Sequence, residues 1–263
     1  MKARGSKSDV PMVSARGIVN RFGTQRLHDR IDLDVHAGEI VGIAGGSGSG
    51  KSVLLKTLAG LHRPQAGRVL LAGRPVERLS AAERASLIGV LFQQGALFSS
   101  LTVAHNVMLA MREHTDLDSA QCEEVAAMKL ALAGLPADSA AKYPAQLSGG
   151  MVKRAALARS LALDPRVLLL DEPTSDLDPL TASGIDALIR QLNAGLGLTV
   201  VIVSHDLTTL FSVCQRVAVL VEGQIVVDTL PRLMHSRHPW IHEFLHGPRA
   251  QGALAAKEAT KET

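Results

Sequence analysis

Cysteine is scarce in this chain: 263 residues hold two, Cys122 and Cys214. Two thiols exclude a disulfide scaffold and suit a reducing compartment. Aromatics are nearly as rare, with five Phe, one Trp and one Tyr. That is too few rings for a base-stacking platform. Apolar runs are short, and none approaches the roughly 20 residues that a membrane helix needs. The stretch from Met1 to Val10 has basic residues but no apolar segment behind them, so it does not read as a signal peptide. Charge of one sign is missing too. Lys plus Arg number 28 against 25 Asp plus Glu, a formal +3, which is too small to imply nucleic-acid binding by bulk electrostatics. If such a chain works at a membrane, it is expected to do so from the cytoplasm and through a partner.

What is present is a chain long enough for a sizeable core, with 46% apolar residues. Residues 1–10 are polar and basic. Residues 249–263 are rich in Ala, Lys, Glu and Thr, with no large apolar residue after Leu254. Both ends are expected to be flexible tails around one domain at 11–248. Inside it, Ile40–Ala44, Ile88–Phe92, Val167–Leu170, Thr199–Val203 and Val217–Val221 are unbroken β-branched or Leu-rich runs. Such runs suit strands covered on both faces, as in a parallel sheet. Ser52 to Ala59 reads as a helix stopped by Gly60. From about 103 to 163 the chain is Ala- and Leu-rich without a strand-like run. The fold class is therefore α/β: a mainly parallel sheet flanked by helices, with an all-helical subdomain at about 97–163 inserted in the core.

The strongest motif is Gly45-Gly46-Ser47-Gly48-Ser49-Gly50-Lys51-Ser52, which fits G-x-x-x-x-G-K-[ST] between a strand and a helix. Glycines let the backbone N–H groups wrap phosphates, and the helix N-terminus adds positive potential. Lys51 supplies a point charge to the β- and γ-phosphates and the Ser52 hydroxyl a Mg²⁺ ligand. The competing dinucleotide pattern G-x-G-x-x-G fails, because Lys51 and Val53 stand where it needs glycine. A plain Gly/Ser turn would not call for this strand–helix setting. The second motif is Val167 to Pro173, an apolar strand that ends in Asp171-Glu172. It puts a Mg²⁺-binding carboxylate at the sheet edge and beside it a group placed to polarise water.

Leu147-Ser148-Gly149-Gly150-Met151 resembles the signature motif of the ABC-transporter ATPases, and it lies between the two motifs above, where that family has it. Phe92-Gln93 is similar to the family's Q-loop, Ser175-Asp176-Leu177-Asp178 to its D-loop and Ser204-His205-Asp206 to its switch histidine. The resemblance implies the P-loop ABC ATPase fold, with ATP and Mg²⁺. It implies that Phe22 stacks on adenine, and that Gly45, Gly46, Ser47, Gly48, Ser49, Gly50, Lys51, Ser52 and Val53 contact nucleotide. It implies that Ser52, Gln93 and Asp171 hold Mg²⁺. Glu172 polarises water, Gln93 positions it, and His205 donates from a neutral imidazole to the γ-phosphate. Ser148 caps a helix over 151–163 aimed at phosphate.

A phosphate site on the core and a second one on the helical subdomain do not usually meet within one chain. The resemblance therefore implies a head-to-tail homodimer. Each ATP is sandwiched between Lys51 of one copy and Ser148 of the other, and Gly149, Gly150 and Asp178 are implied to contact nucleotide as well. Val53, Met151 and Asp176 depart from the common pattern, yet none removes a catalytic group.

Met151, Leu91 to Phe98, Met151 to Arg159 and Pro239 to Gly247 resemble one branch, the Mla-type ATPases of phospholipid trafficking and solvent tolerance. That branch implies a place on the cytoplasmic face of the inner membrane and separate permease chains. It also implies a membrane-anchored lipid-binding protein and a small cytoplasmic regulatory subunit, with no nucleic acid. A permease helix is expected near Gln93 to Leu101, on Leu97 and Phe98. An ATPase for another substrate, such as an amino acid or solvent, stays open, as does a soluble ABC ATPase acting on nucleic acid. The histidines His235, His238, His242 and His246 carry no closed metal set around Pro239, and Glu123-Glu124 reads as a solvated face.

Overall fold

The computed structural model describes residues 10–247 and 250–253, apart from the side chain of Phe22. The chain opens with an antiparallel hairpin, β1 (Val13–Phe22) and β2 (Gln25–Val35), then enters β3 (Ile40–Gly45) and α1 (Lys51–Leu58). Strands β4 (Ala66–Leu71) and β5 (Arg74–Pro75) return to the hairpin and complete a four-stranded sheet of order β2-β1-β4-β5. Helix α2 (Ala81–Leu87) leads into β6 (Ile88–Leu91). Three helices follow: α3 (Val103–His114), α4 (Ser119–Leu132) and α5 (Gly149–Ser160). The chain then runs through β7 (Val167–Asp171), α6 (Pro179–Leu196), β8 (Thr199–Val203), α7 (Leu207–Val213), β9 (Arg216–Val221) and β10 (Gln224–Asp228). It closes with α8 (Leu230–Leu233) and α9 (Pro239–His246).

The second sheet has six strands in the order β10-β9-β3-β8-β7-β6. All its pairings are parallel except β10 with β9. Every residue of β3, β7 and β8 is buried, which is why their sequences are continuously apolar. Helix α1 starts one residue before the expected span. Helix α5 spans 149–160 instead of 151–163, because Ser148 caps it directly: its Oγ accepts from Met151 N at 3.4 Å. The four-stranded antiparallel sheet lies outside the sequence expectation.

Helix α5 belongs to two cores at once. Ala156, Leu157 and Leu161 at its end pack with β7, β8 and α6, while Ala155 and Ala158 pack with α3 and α4. Alanine on both faces allows that close approach, so the helical subdomain shares a wall with the main sheet. Of the expected tail 249–263, residues 250–253 are helical, and Ala250 and Ala253 pack with α7, α8 and α9. The remainder of that stretch, with residues 1–9, lies outside the described residues. Among the described residues no helix is long and apolar enough to cross a membrane.

Asp186 on α6 is buried beneath α7, where its Oδ2 accepts from Ser212 Oγ at 3.2 Å. Burial pushes its pKa up to about 6. Such a group stabilises the fold below the ordinary carboxylate range and loses that contribution as pH rises through about 6. His28 acts in the opposite sense: burial lowers its pKa to about 4, so its contribution is lost as pH falls through about 4. Asp186→Asn is therefore expected to gain about 2 kcal/mol near pH 7 and almost nothing near pH 4, read by urea unfolding at both values. An equal gain at both would contradict the burial argument.

Candidate active site

The phosphate-type loop leaves β3 at Gly45 and enters α1 through Gly50, whose φ of +96° is left-handed. A Cβ on Gly50 would sit 2.7 Å from His28 Nε2. Glycine is thus required here both by conformation and by space. His28 itself is buried under the loop, with its Nδ1 accepting from Asn20 Nδ2 at 2.9 Å; Asn20 also donates to Thr57 Oγ1 at 3.0 Å. Lys51 Nζ donates to the carbonyls of Gly45 and Gly46, both at 2.9 Å. Burial lowers the Lys51 pKa, and the nearby Glu172 and Asp171 carboxylates oppose that shift.

Parallel register brings the rest to the same edge. Asp171 at the end of β7 pairs with Val203 of β8, and Val203 pairs with Ile43 of β3. Ser52 Oγ then donates to Asp171 Oδ1 at 2.9 Å. Burial raises the Asp171 pKa, while the Ser52 hydrogen bond works to lower it. Glu172 has φ +49°, a sparsely populated region for a non-glycine residue, and its N–H donates to Val203 O at 2.9 Å. Its Oε2 lies 2.9 Å from His205 Nδ1. A carboxylate only accepts, so Nδ1 is the donor in this contact. In this arrangement His205 Nδ1 is engaged by Glu172.

Lys51, Ser52, Gln93, Glu172 and His205 line one cavity of about 700 Å³ together with Gly45, Ser47, Gly48, Gly50 and Val53. Gly46 and Ser49 lie in the same loop, and Ser49 Oγ is buried without a partner. Among the described residues no three His, Cys, Asp or Glu side chains converge as a metal cage. One hydroxyl and one carboxylate, in hydrogen-bond contact at Ser52 and Asp171, suit instead a hard cation that takes most of its shell from phosphate and water. That donor set fits Mg²⁺.

Ser148, Gly149 and Gly150 do not line this cavity. Asp178 caps α6, accepting from Thr181 N at 3.0 Å, and hydrogen bonding to Thr181 holds its carboxyl below the usual range. Phe22 pairs through its backbone with Gln25; the side chain expected to stack on adenine lies outside the described residues. Of the two expected apolar anchors, Phe98 is 52% exposed. Leu97 is partly buried and packs against both cores that α5 joins.

Two functional candidates lie in the Met151 to Arg159 stretch, to which the sequence expectation assigns no role at the site. Lys153 Nζ donates to the carbonyls of Gln93 and Glu172, the latter at 2.9 Å, and to Ser175 Oγ at 3.1 Å. Arg159 donates to the carbonyls of Gly95 and Ala96 at 2.7 and 2.6 Å. The available signal was a Lys among alanines on a helix that would otherwise be buried.

This combination of loop, lysine, hydroxyl and paired acids at a parallel sheet edge is a P-loop nucleotide-hydrolase site. The family model "ABC transporter" matches residues 28–175, more than half of the chain, and the chain belongs to that family. It is 38% identical to the probable ribonucleotide transport ATP-binding protein mkl of Mycobacterium leprae, over all of this chain and 77% of that one. It is 36% identical to the intermembrane phospholipid transport system ATP-binding protein MlaF of Haemophilus influenzae, over 90% of each. It is 43% identical to the methionine import ATP-binding protein MetN 1 of Burkholderia pseudomallei, over 82% of this chain and 64% of that one. Among solved structures, the post-hydrolysis dimer of the ATP-binding cassette MJ0796 with ADP and Pi superposes with a TM-score of 0.76 at 31% identity. That match covers 83% of this chain and 98% of that one. The chain is an ABC transporter ATPase subunit with the fold of that cassette.

A Cβ on Gly150 would lie 2.5 Å from Thr181 Cγ2. Gly150→Ala is expected to cost about 1–3 kcal/mol by forcing α5 off α6. Thr181→Ser, which removes that methyl, should recover most of the loss in the double variant. Thermal unfolding of the three proteins checks this, and no recovery would place the strain elsewhere.

Proposed function

We propose that the chain powers phospholipid trafficking across a bacterial envelope, as a homodimer on the cytoplasmic face of the inner membrane bound to separate permease chains. The observation that carries the dimer is the separation of two half-sites: Lys51 and Glu172 share one cavity, and Ser148, Gly149 and Gly150 lie outside it. A two-fold pair completes both sites at once. The MlaF likeness over 90% of each chain supports the phospholipid branch.

In the proposed reaction the loop and Lys51 hold the phosphates of ATP, with Val53 beside them, Phe22 against the base and Asp178 at the junction with the second copy. Ser52, Asp171 and Gln93 would hold Mg²⁺, whose charge offsets that of the phosphates when it is bound. Nucleotide entry draws His205 off Glu172. The freed carboxylate takes the proton of the attacking water, and the freed Nδ1–H becomes a donor to the γ-phosphate. Release of ADP and phosphate lets the copies part.

Permease chains are proposed to dock in the groove of about 630 Å³ beside Phe92, Ala96, Phe98, Leu109 and Arg159. Asn106 fixes Phe98 there, accepting from its N–H at 2.8 Å and donating to its carbonyl at 3.1 Å. A membrane-anchored lipid-binding protein and a small cytoplasmic subunit complete the proposed assembly, with no nucleic acid. The second reading, import of an amino acid, draws on the 43% identity to a methionine import subunit.

Glu172→Gln is expected to bind ATP and stay dimeric while phosphate release falls at least about 100-fold. Normal release would remove Glu172 from the mechanism. For the substrate, co-purification with the native permease and reconstitution into vesicles should give ATP-dependent phospholipid transfer. Turnover stimulated by methionine and indifferent to lipid would favour the second reading.

A further inference from the structure

We propose that Lys153 is a positioning residue that couples the two nucleotide sites of the dimer; this rests on the dimeric reading above. An ammonium has three N–H donors and no acceptor. Those of Lys153 make three contacts in two segments: the Gln93 carbonyl after β6, and the Glu172 carbonyl and Ser175 Oγ in the turn between β7 and α6. Ser175 Oγ in turn donates to Glu172 O at 3.0 Å. Lys153 is only 6% exposed, so water does not substitute for these partners. Asp171, Glu172 and Asp176 supply the neighbouring negative charge, and burial works against the charged form.

The placement of Lys153 matters because of the helix that carries it. Helix α5 begins at Ser148, the edge proposed to face the nucleotide of the other copy. One turn later, Lys153 grips the segments that hold Gln93 and Glu172 at this copy's own nucleotide. Arg159, further along the same helix, holds Gly95 and Ala96, so the segment after Gln93 is clamped twice. Any shift of α5 on engaging the partner's nucleotide is therefore transmitted to the water-activating Glu172 and to Gln93. Ser175 carries the same shift into the turn that ends at Asp178, at the junction between copies.

The test uses the full chain and the initial rate of phosphate release as a function of ATP, beside ADP affinity and thermal unfolding. Wild type is expected to show a Hill coefficient of about 2, the number of sites. Lys153→Met should keep ADP affinity within about threefold, while the Hill coefficient falls to about 1 and kcat drops about tenfold or more. Lys153→Arg should restore much of the cooperativity. Ser175→Ala removes a single contact of the ammonium and keeps the test open if Lys153→Met does not fold; it should lower the Hill coefficient with ADP affinity intact. A wild-type Hill coefficient retained in Lys153→Met, or in Ser175→Ala where Lys153→Met does not fold, would overturn the coupling role. A coefficient of 1 in wild type itself would instead overturn the two-site dimer.

Discussion

The hydrogen bond from Ser52 to Asp171, 2.9 Å long, joins the start of α1 to the end of β7 across the width of β8. It exists only because β3, β8 and β7 run parallel and finish at one edge. Reversing β7 would send Asp171 and Glu172 to the opposite end. The buried apolar strands are therefore what aims the polar groups. Burial then acts on those groups, raising Asp171 and lowering Lys51, so that the edge is tuned by the core that holds it.

Helix α5 supplies the second constraint. Its alanines let two cores meet along one helix, and its cations reach out of that apolar wall to main-chain carbonyls. Close spacing against α6, where Gly150 leaves no room for a Cβ beside Thr181, adds a third constraint. A helix held on so many sides moves as a body or not at all, which is the property required of an element that reports one proposed site to another.

Much of this fold was readable from the residues alone. Val167 to Leu170 and Thr199 to Val203 are strands buried on both faces, and such strands have no polar alternation to blur them. The hairpin β1–β2 was not readable. Arg16, Gly17 and Arg21 interrupt β1, and its register shifts several times against β2, so the two-residue period is lost. Helix ends differ from expectation where a cap decides them, as at Ser148. The loop, the paired acids and His205 announce themselves as motifs, and the structure gathers Lys51, Ser52, Gln93, Glu172 and His205 around one cavity. The contacts of Lys153 stayed hidden because its partners are carbonyls and a serine hydroxyl, and no residue pattern encodes which carbonyls a lysine will meet. The direction of the His205 proton was equally invisible, since it depends on a 2.9 Å approach to Glu172.

The account stands or falls on two copies sharing each nucleotide. Cysteines at Ser47 and Ser148, in a chain whose own Cys122 is buried and whose Cys214 is partly so, offer a direct probe by oxidative cross-linking. With ATP and Mg²⁺ in the Glu172→Gln background, the account predicts a disulfide between copies that is strong with ATP and faint with ADP. A disulfide formed equally without nucleotide, or formed within one chain, would contradict it.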